Sequence, residues 1–249
     1  GSYFGDAIPV IAQTFFHTEI TVPALWFEPL DDPMRLLIFS FGVGVAHLFT
    51  GLGVQFYQLA KQKKYADAIY DVVFWYLLVG GLIVVLLSTE IFQNIAELPF
   101  VVPGPVAAVA GVLAGIGAVG ILFTAGRESR NPVKRFLKGL YGLYGVSSYL
   151  SDILSYSRLL ALGLATSVIS TVFNQLGAML GGGVVGAIFF AVVFLIGHSM
   201  NMAINLLGAY VHTNRLQFVE FFGKFYEGGG RAYAPFAANT KHFQIKEEK

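Results

Sequence analysis

The chain contains no cysteine. Disulfides, thiolate metal sites and cysteine nucleophiles are therefore excluded, and the redox compartment stays undetermined. Charge is almost as scarce. Only 12% of the 249 residues are charged, while 55% are hydrophobic; a soluble domain carries about 25% charged residues. Charge this sparse, between apolar runs this long, identifies an all-α integral membrane protein. No basic stripe with interleaved aromatics occurs, which removes nucleic acid as a partner. A phosphate-binding Gly-Lys-Ser/Thr loop is missing as well, so no motif marks the chain as a nucleotide hydrolase of that kind. No initiator methionine precedes Gly1-Ser2-Tyr3, and the expectation is a fragment or a processed product.

The charges that remain are placed with a pattern. Residues 1–32 hold Asp6, Glu19, Glu28, Asp31 and Asp32 but no Lys or Arg, and are broken by Pro9, Pro23 and Pro29. With Trp26 and Phe27 suited to an interface, they read as an extracytoplasmic segment with a short helix near Ile8–Phe16. Leu36 to Ala60 is free of formal charge and is long enough to span. It ends in Lys61-Gln62-Lys63-Lys64. A second span runs roughly from Val72 to Ser88, and a third from Phe100 to Thr124, rich in the small residues that let helices approach closely in lipid. Between them, Glu90 and Glu97 stand without a base. Arg127, Arg130, Lys134, Arg135 and Lys138 follow as a basic loop. The remaining spans form a hairpin that turns at Gly181-Gly182-Gly183, and the tail carries Lys224, Arg231, Lys241 and Lys246.

Basic and base-free connections thus alternate with the spans. Only Arg35 lies on the wrong side. The positive-inside rule then puts the N-terminal segment outside and the C-terminus in the cytoplasm. Five spans with an outside N-terminus imply preceding sequence. The expected organisation is an extracytoplasmic segment over 1–32, three transmembrane helices with basic cytoplasmic loops over 33–146, a long hairpin over 147–227 and a cytoplasmic tail over 228–249. The hairpin is too long to stand upright. Val184 to Tyr226 would make about 64 Å of helix at 1.5 Å per residue, against a hydrocarbon core of about 30 Å. It must tilt steeply or protrude.

Inside the hairpin, no Asp, Glu, Lys or Arg lies between Arg158 and Arg215. A charged side chain within a bilayer costs roughly 2.5–3.5 kcal/mol on insertion scales. Polar residues lead up to each arginine at helical spacing: Ser148, Ser151 and Ser155 before Arg158, and His198, Asn201, Asn205 and His212 before Arg215. Such stripes face protein or water and not lipid. They fit an ion path, or else hydrogen bonds between helices. Asp152, six residues from Arg158, sits on a different side of the helix and is poorly placed to pair with it. For Arg215 the structural alternatives are a loose contact with Glu220 or snorkelling to the interface. His47 reads as a packing histidine.

The run from Tyr149 through Ser155 and Arg158 to Ala165 resembles the penultimate helix of subunit a, or subunit I, of V-type and archaeal-type rotary ATPases. The run Asn214-Arg215-Leu216-Gln217-Phe218-Val219-Glu220, continuing to Gly230, resembles its last helix and tail. The similarity extends over all five spans and covers the C-terminal part of that family's chain. It implies a stator beside a rotor ring of small proteolipid subunits, each with an ion-binding carboxylate. The other implied partners are the chain's own N-terminal cytoplasmic domain, the peripheral stalk, the central stalk cap and the lipid bilayer. Arg158 and Arg215 match the family's paired arginines, and Glu220 an acid in the cytoplasmic access path of prokaryotic relatives. Thr166 and Asn205 stand where vacuolar relatives carry His and Glu, which points to a prokaryotic form in a plasma membrane.

The residues expected to serve ion translocation are Arg158, Arg215, Glu220, His212, Asn205, Asn201, His198, Ser155, Asp152 and Gln217. No catalytic residue, metal ligand or cofactor is expected. The competing reading is a stand-alone secondary transporter or channel. Such proteins often show inverted repeats and broken helices in both halves; here both arginines lie in the C-terminal half, on proline-free helices.

Overall fold

The computed structural model describes residues 4–23, 27–90, 92–93, 102–127, 131–226 and 228–229. Trp26, Glu97, Arg130, the tail bases Arg231, Lys241 and Lys246, and nearly all of 228–249 lie outside them. Within the described residues the regular structure is all helical, and six helices carry the fold. The short α1 covers Ala7–Phe16 and ends where His17 turns left-handed at φ 50°. Five longer helices follow, each long and apolar enough to cross a membrane: α2 Pro33–Lys61, α3 Tyr65–Ser88, α4 Gly104–Thr124, α5 Pro132–Ala178 and α6 Val184–Lys224.

Proline sets where three of these helices start. Pro33 and Pro132 open α2 and α5, and Pro105 lies in the first turn of α4; there its missing N–H is no loss and its fixed φ suits the helix. Because α5 begins at Pro132, Lys134, Arg135 and Lys138 are in its first turns and not in a loop. The α5–α6 turn needs its glycines, since Gly181 and Gly183 take φ of 70° and 112°. At 47 and 41 residues, α5 and α6 are about 70 and 62 Å long.

Between 11% and 28% of each apolar stretch is buried within the chain. Leu195, Leu206, Leu207 and Tyr210 of α6 are largely exposed. In water that much bare apolar surface would aggregate; against lipid or apolar partner helices it is matched.

Where the chain packs on itself, small residues bring the helices close. A β-carbon on Gly81 of α3 would lie 2.6 Å from the Ala110 carbonyl of α4, and one on Gly117 would lie 2.8 Å from the Phe74 carbonyl. Leu78, Ala114 and Ile121 form the buried cluster between them, with Phe74 and Trp75 packed on it. At the basic end of the molecule Arg127 clamps the start of α3, donating to Asp71 at 3.0 and 2.8 Å and to Asp67 at 2.9 Å. Gly81→Leu is therefore expected to force α3 and α4 apart, a loss of about 1–3 kcal/mol or more, read as a lower midpoint of thermal unfolding. Gly80→Leu is the control, because its nearest neighbour, the rim of Phe49, leaves 3.7 Å.

Candidate functional site

The α5–α6 hairpin is joined by three layers of polar side chains. Nearest the glycine turn, His198 Nε2 meets Asn174 Oδ1 at 2.9 Å. One turn further, Asn201 donates to Ser170 Oγ at 2.8 Å and to the Thr166 carbonyl at 3.2 Å. One turn beyond that, Thr166 donates to Asn205 Oδ1 at 2.5 Å, and Asn205 donates back to Asn201 Oδ1 at 2.6 Å. On α6 these residues come from the stripe of threes and fours. On α5 their partners recur every fourth residue: Leu162, Thr166, Ser170, Asn174. Rows of i±4n residues are one of the ridges along which helices interdigitate. Asn174 and Ser170 were absent from the residues singled out above, and Thr166 was noted only by resemblance, yet the spacing of four from Arg158 onward was there to be read.

The ladder opens on a cavity of about 720 Å³. Thr166, Ser170, His198, Asn201 and Asn205 line one side. The segment before α2 closes the other with Phe4, Gly5, Asp6 and Glu28. Below Asn205 the polar character stops, since Leu162 packs against Gly208.

The next layer holds the arginines. Following the register from Thr166 opposite Asn205, Arg158 lies opposite Thr213, so Arg215 is only two residues away in height, about 3 Å. Their surroundings differ. Arg158 lies just beyond a break in α5 at Tyr156, whose N–H reaches back to Ile153 and Leu154. Tyr156 is buried, with its hydroxyl 2.5 Å from His47 Nδ1. Its ring fills the space beside Gly44, where a β-carbon would come within 2.7 Å. His47 in turn stacks on Phe221 at 4.2 Å; it is a satisfied packing histidine.

Across this layer Arg158 faces Glu220, Nη1 to Oε1 at 3.5 Å, with the Glu220 side chain only 2% exposed. Arg158 Nη1 and Glu220 Oε2 are buried with no hydrogen-bond partner among the described residues. Glu220 reaches this place because α6 widens into a π-turn over Leu216–Phe221, which rotates the register of all that follows. It therefore pairs with Arg158 and not with Arg215. Arg215 itself is exposed and has no ion pair or hydrogen bond among the described residues.

Asp152, poorly placed for Arg158, instead receives Lys224 Nζ at 2.5 Å, and the same ammonium lies 3.9 Å from the Tyr149 ring centre. Lys224 also borders a second cavity of about 590 Å³ with Gln55, Gln58, Gln62 and Lys64, at the basic end. Ser155 bonds back to the Ser151 carbonyl at 3.0 Å. His212 and Gln217 are half-buried, with no hydrogen-bond partner among the described residues. The structure thus gathers His198, Asn201 and Asn205 at one end of the hairpin and Arg158, Glu220 and Asp152 toward the other. Chemically it offers two polar recesses, separated by an apolar layer and by a pair of fixed cations at one height.

Residues 146–238 match the model of the V-type ATPase 116kDa subunit family. The A-type ATP synthase subunit I of Methanocaldococcus jannaschii is 34% identical over 214 residues, covering 85% of this chain and 29% of that protein. The protein of the same name from Pyrococcus horikoshii is 33% identical over 254 residues, covering the whole chain and 35% of the relative. The V-type ATP synthase subunit I of Chlamydia pneumoniae is 34% identical over 125 residues, half of this chain and 17% of that one. The chain thus spans about a third of the length of its archaeal relatives, and it belongs to the V-type ATPase 116kDa subunit family.

Proposed function

We propose that this chain is the non-catalytic stator part of a rotary ATPase, forming two ion half-channels beside a rotor ring of proteolipid helices. Through them it couples movement of H⁺ or Na⁺ to ATP hydrolysis or synthesis. The observation that carries this reading is Arg215. It is a cation on a helix apolar enough to span a membrane, at the height of Arg158, and no group of the described chain answers it. Such a charge faces a partner, and the complementary partner is a carboxylate on a neighbouring subunit.

The steps follow from electrostatics. A carboxylate circulating past lipid is held neutral by a bound cation, because the ionised form is costly in an apolar medium. Beside the arginines the ionised form is favoured and the cation leaves. The cavity beside Asp6 and Asn201 serves as the extracytoplasmic half-channel. The recess beside Lys224 and Gln58 serves as the cytoplasmic one. Arg158 and Arg215, with the Leu162 layer, keep a cation from passing directly between them. The steep tilt of α5 and α6 brings both arginines to mid-membrane, with residues 1–32 outside and the tail in the cytoplasm.

Residues 1–249 contain no cysteine, so a cysteine introduced there is the single thiol of this stretch. Single cysteines at Thr171 and at Gln58 are introduced in the assembled complex and exposed to a membrane-impermeant thiol reagent. The Thr171→Cys variant is expected to react from the extracytoplasmic side only, and Gln58→Cys from the cytoplasmic side only. Equal labelling of either residue from both faces contradicts the two-half-channel arrangement.

A further inference from the structure

The segment before the first long helix reaches into the polar ladder at one point. Phe4 and Gly5 both take left-handed backbone angles, φ 54° and 70°. For phenylalanine that is an unfavourable conformation, of the kind that persists where surrounding contacts impose it. Gly5 is held so close to α5 that a β-carbon would lie 2.9 Å from that of Ser170. The turn delivers two acceptors to one buried amide. Asn174, with no exposed surface, donates from Nδ2 to the Phe4 carbonyl at 2.9 Å and to the Asp6 carboxylate at 2.8 Å.

Those two bonds settle which way the amide points. Flipped, Asn174 would set its oxygen against a carbonyl and a carboxylate, neither a donor. Its Oδ1 is therefore directed at His198 Nε2, 2.9 Å away, so Nε2 must be the nitrogen that carries hydrogen. In the neutral ring Nδ1 is then the basic nitrogen. The same turn holds the ring itself, for Phe4 packs edge-on against His198 at 5.2 Å and Phe194 covers it at 4.2 Å. The charged or titratable groups facing this point are Asp6 on the N-terminal turn, His198 on α6 and Glu28 across the cavity; no Lys or Arg of the described residues lines it.

We propose that Asp6 is a positioning residue of the outer ion path: through Asn174 it fixes which nitrogen of His198 accepts a proton from the cavity. This rests on the reading of that cavity as the extracytoplasmic half-channel. With Asp6→Asn the side chain at position 6 both donates and accepts, the Asn174 amide is free to invert, and the basic nitrogen of His198 is no longer fixed. Asp6→Ser removes the carboxylate and costs α1 no cap bond, because the Asp6 side chain makes none.

The test uses the complete complex in proteoliposomes, with the pH of each side set independently. Both Asp6 variants are expected to move the midpoint of transport against extracytoplasmic pH by half a unit or more, about threefold in proton concentration, and to leave the dependence on cytoplasmic pH unchanged. On a His198→Gln background the shift should vanish, because effects that act through one residue are not additive. Two results overturn the inference: wild-type extracytoplasmic profiles in both Asp6 variants, or a shift that survives in His198→Gln. Asn201→Leu and Thr166→Val separate this from the underlying reading. If they depress transport while the Asp6 variants do not, only the role of Asp6 falls; if all four behave as wild type, the half-channel reading falls with it.

Discussion

Arg215→Ala should abolish ATP-coupled ion transport while leaving the complex assembled and as stable as the wild type. The guanidinium has no partner within the described chain, so its removal orphans no group of this chain, and an exposed substitution of this kind usually falls within about 0.5 kcal/mol. The loss is electrostatic. At about 4 Å and an effective dielectric of about 20, opposite unit charges attract by about 4 kcal/mol. In the proposed mechanism, loss of that attraction makes a rotor carboxylate release its cation about a thousandfold less readily at this point. Arg215→Lys keeps the charge but not the planar fork of donors, and an intermediate rate is expected. Proton or sodium uptake into proteoliposomes, alongside thermal unfolding of the same preparations, reads both halves of this prediction. Full coupled transport by Arg215→Ala would remove the central support for the proposed mechanism.

Arg158→Ala should behave differently, although the two arginines lie at nearly the same height. Here the substitution leaves Glu220, only 2% exposed, without its counter-charge. Breaking one side of a buried pair typically costs 3–5 kcal/mol, whereas exchanging both members for apolar residues is often neutral. Arg158→Ala is therefore expected to lose stability as well as transport. The double variant Arg158→Met with Glu220→Met should recover thermal stability toward wild type but stay inactive. If the double variant pumps, the pair is structural only. If Arg158→Ala unfolds no earlier than wild type, the contact at 3.5 Å contributes little to folding.

The contrast between the arginines shows what was legible in advance. Both were conspicuous as charges at the ends of an apolar stretch, and both sit on stripes with helical periodicity. Nothing in the spacing distinguished them. The difference arises because a π-turn over Leu216–Phe221 redirects Glu220 toward α5 and leaves Arg215 facing away. A π-turn reflects which side chains the neighbouring helices will admit, and that depends on residues distant in sequence, here His47, which bonds to Tyr156 and stacks against Phe221. The polar ladder was half legible. His198, Asn201 and Asn205 stood out on α6, but their partners on α5 were small hydroxyls and an amide, residues common on any helix. Asp6 was one carboxylate among five in the N-terminal segment until Asn174 singled it out, 168 residues away.

The sequence alone determined the class of protein, five apolar helices long enough to cross a membrane, the α5–α6 hairpin with its glycine turn, and the two arginines that interrupt its apolar surface. Those features rest on local rules: hydropathy, proline and glycine chemistry, and the cost of charge in lipid. The tertiary structure decided the pairing of Arg158 with Glu220 and Lys224 with Asp152, the position of Arg215 without a partner among the described residues, and the reach of Asp6 into the ladder. These depend on the crossing of α5 and α6 and on close approaches such as Gly44 to Tyr156. Such approaches follow from the shapes of side chains that meet only after the chain has folded.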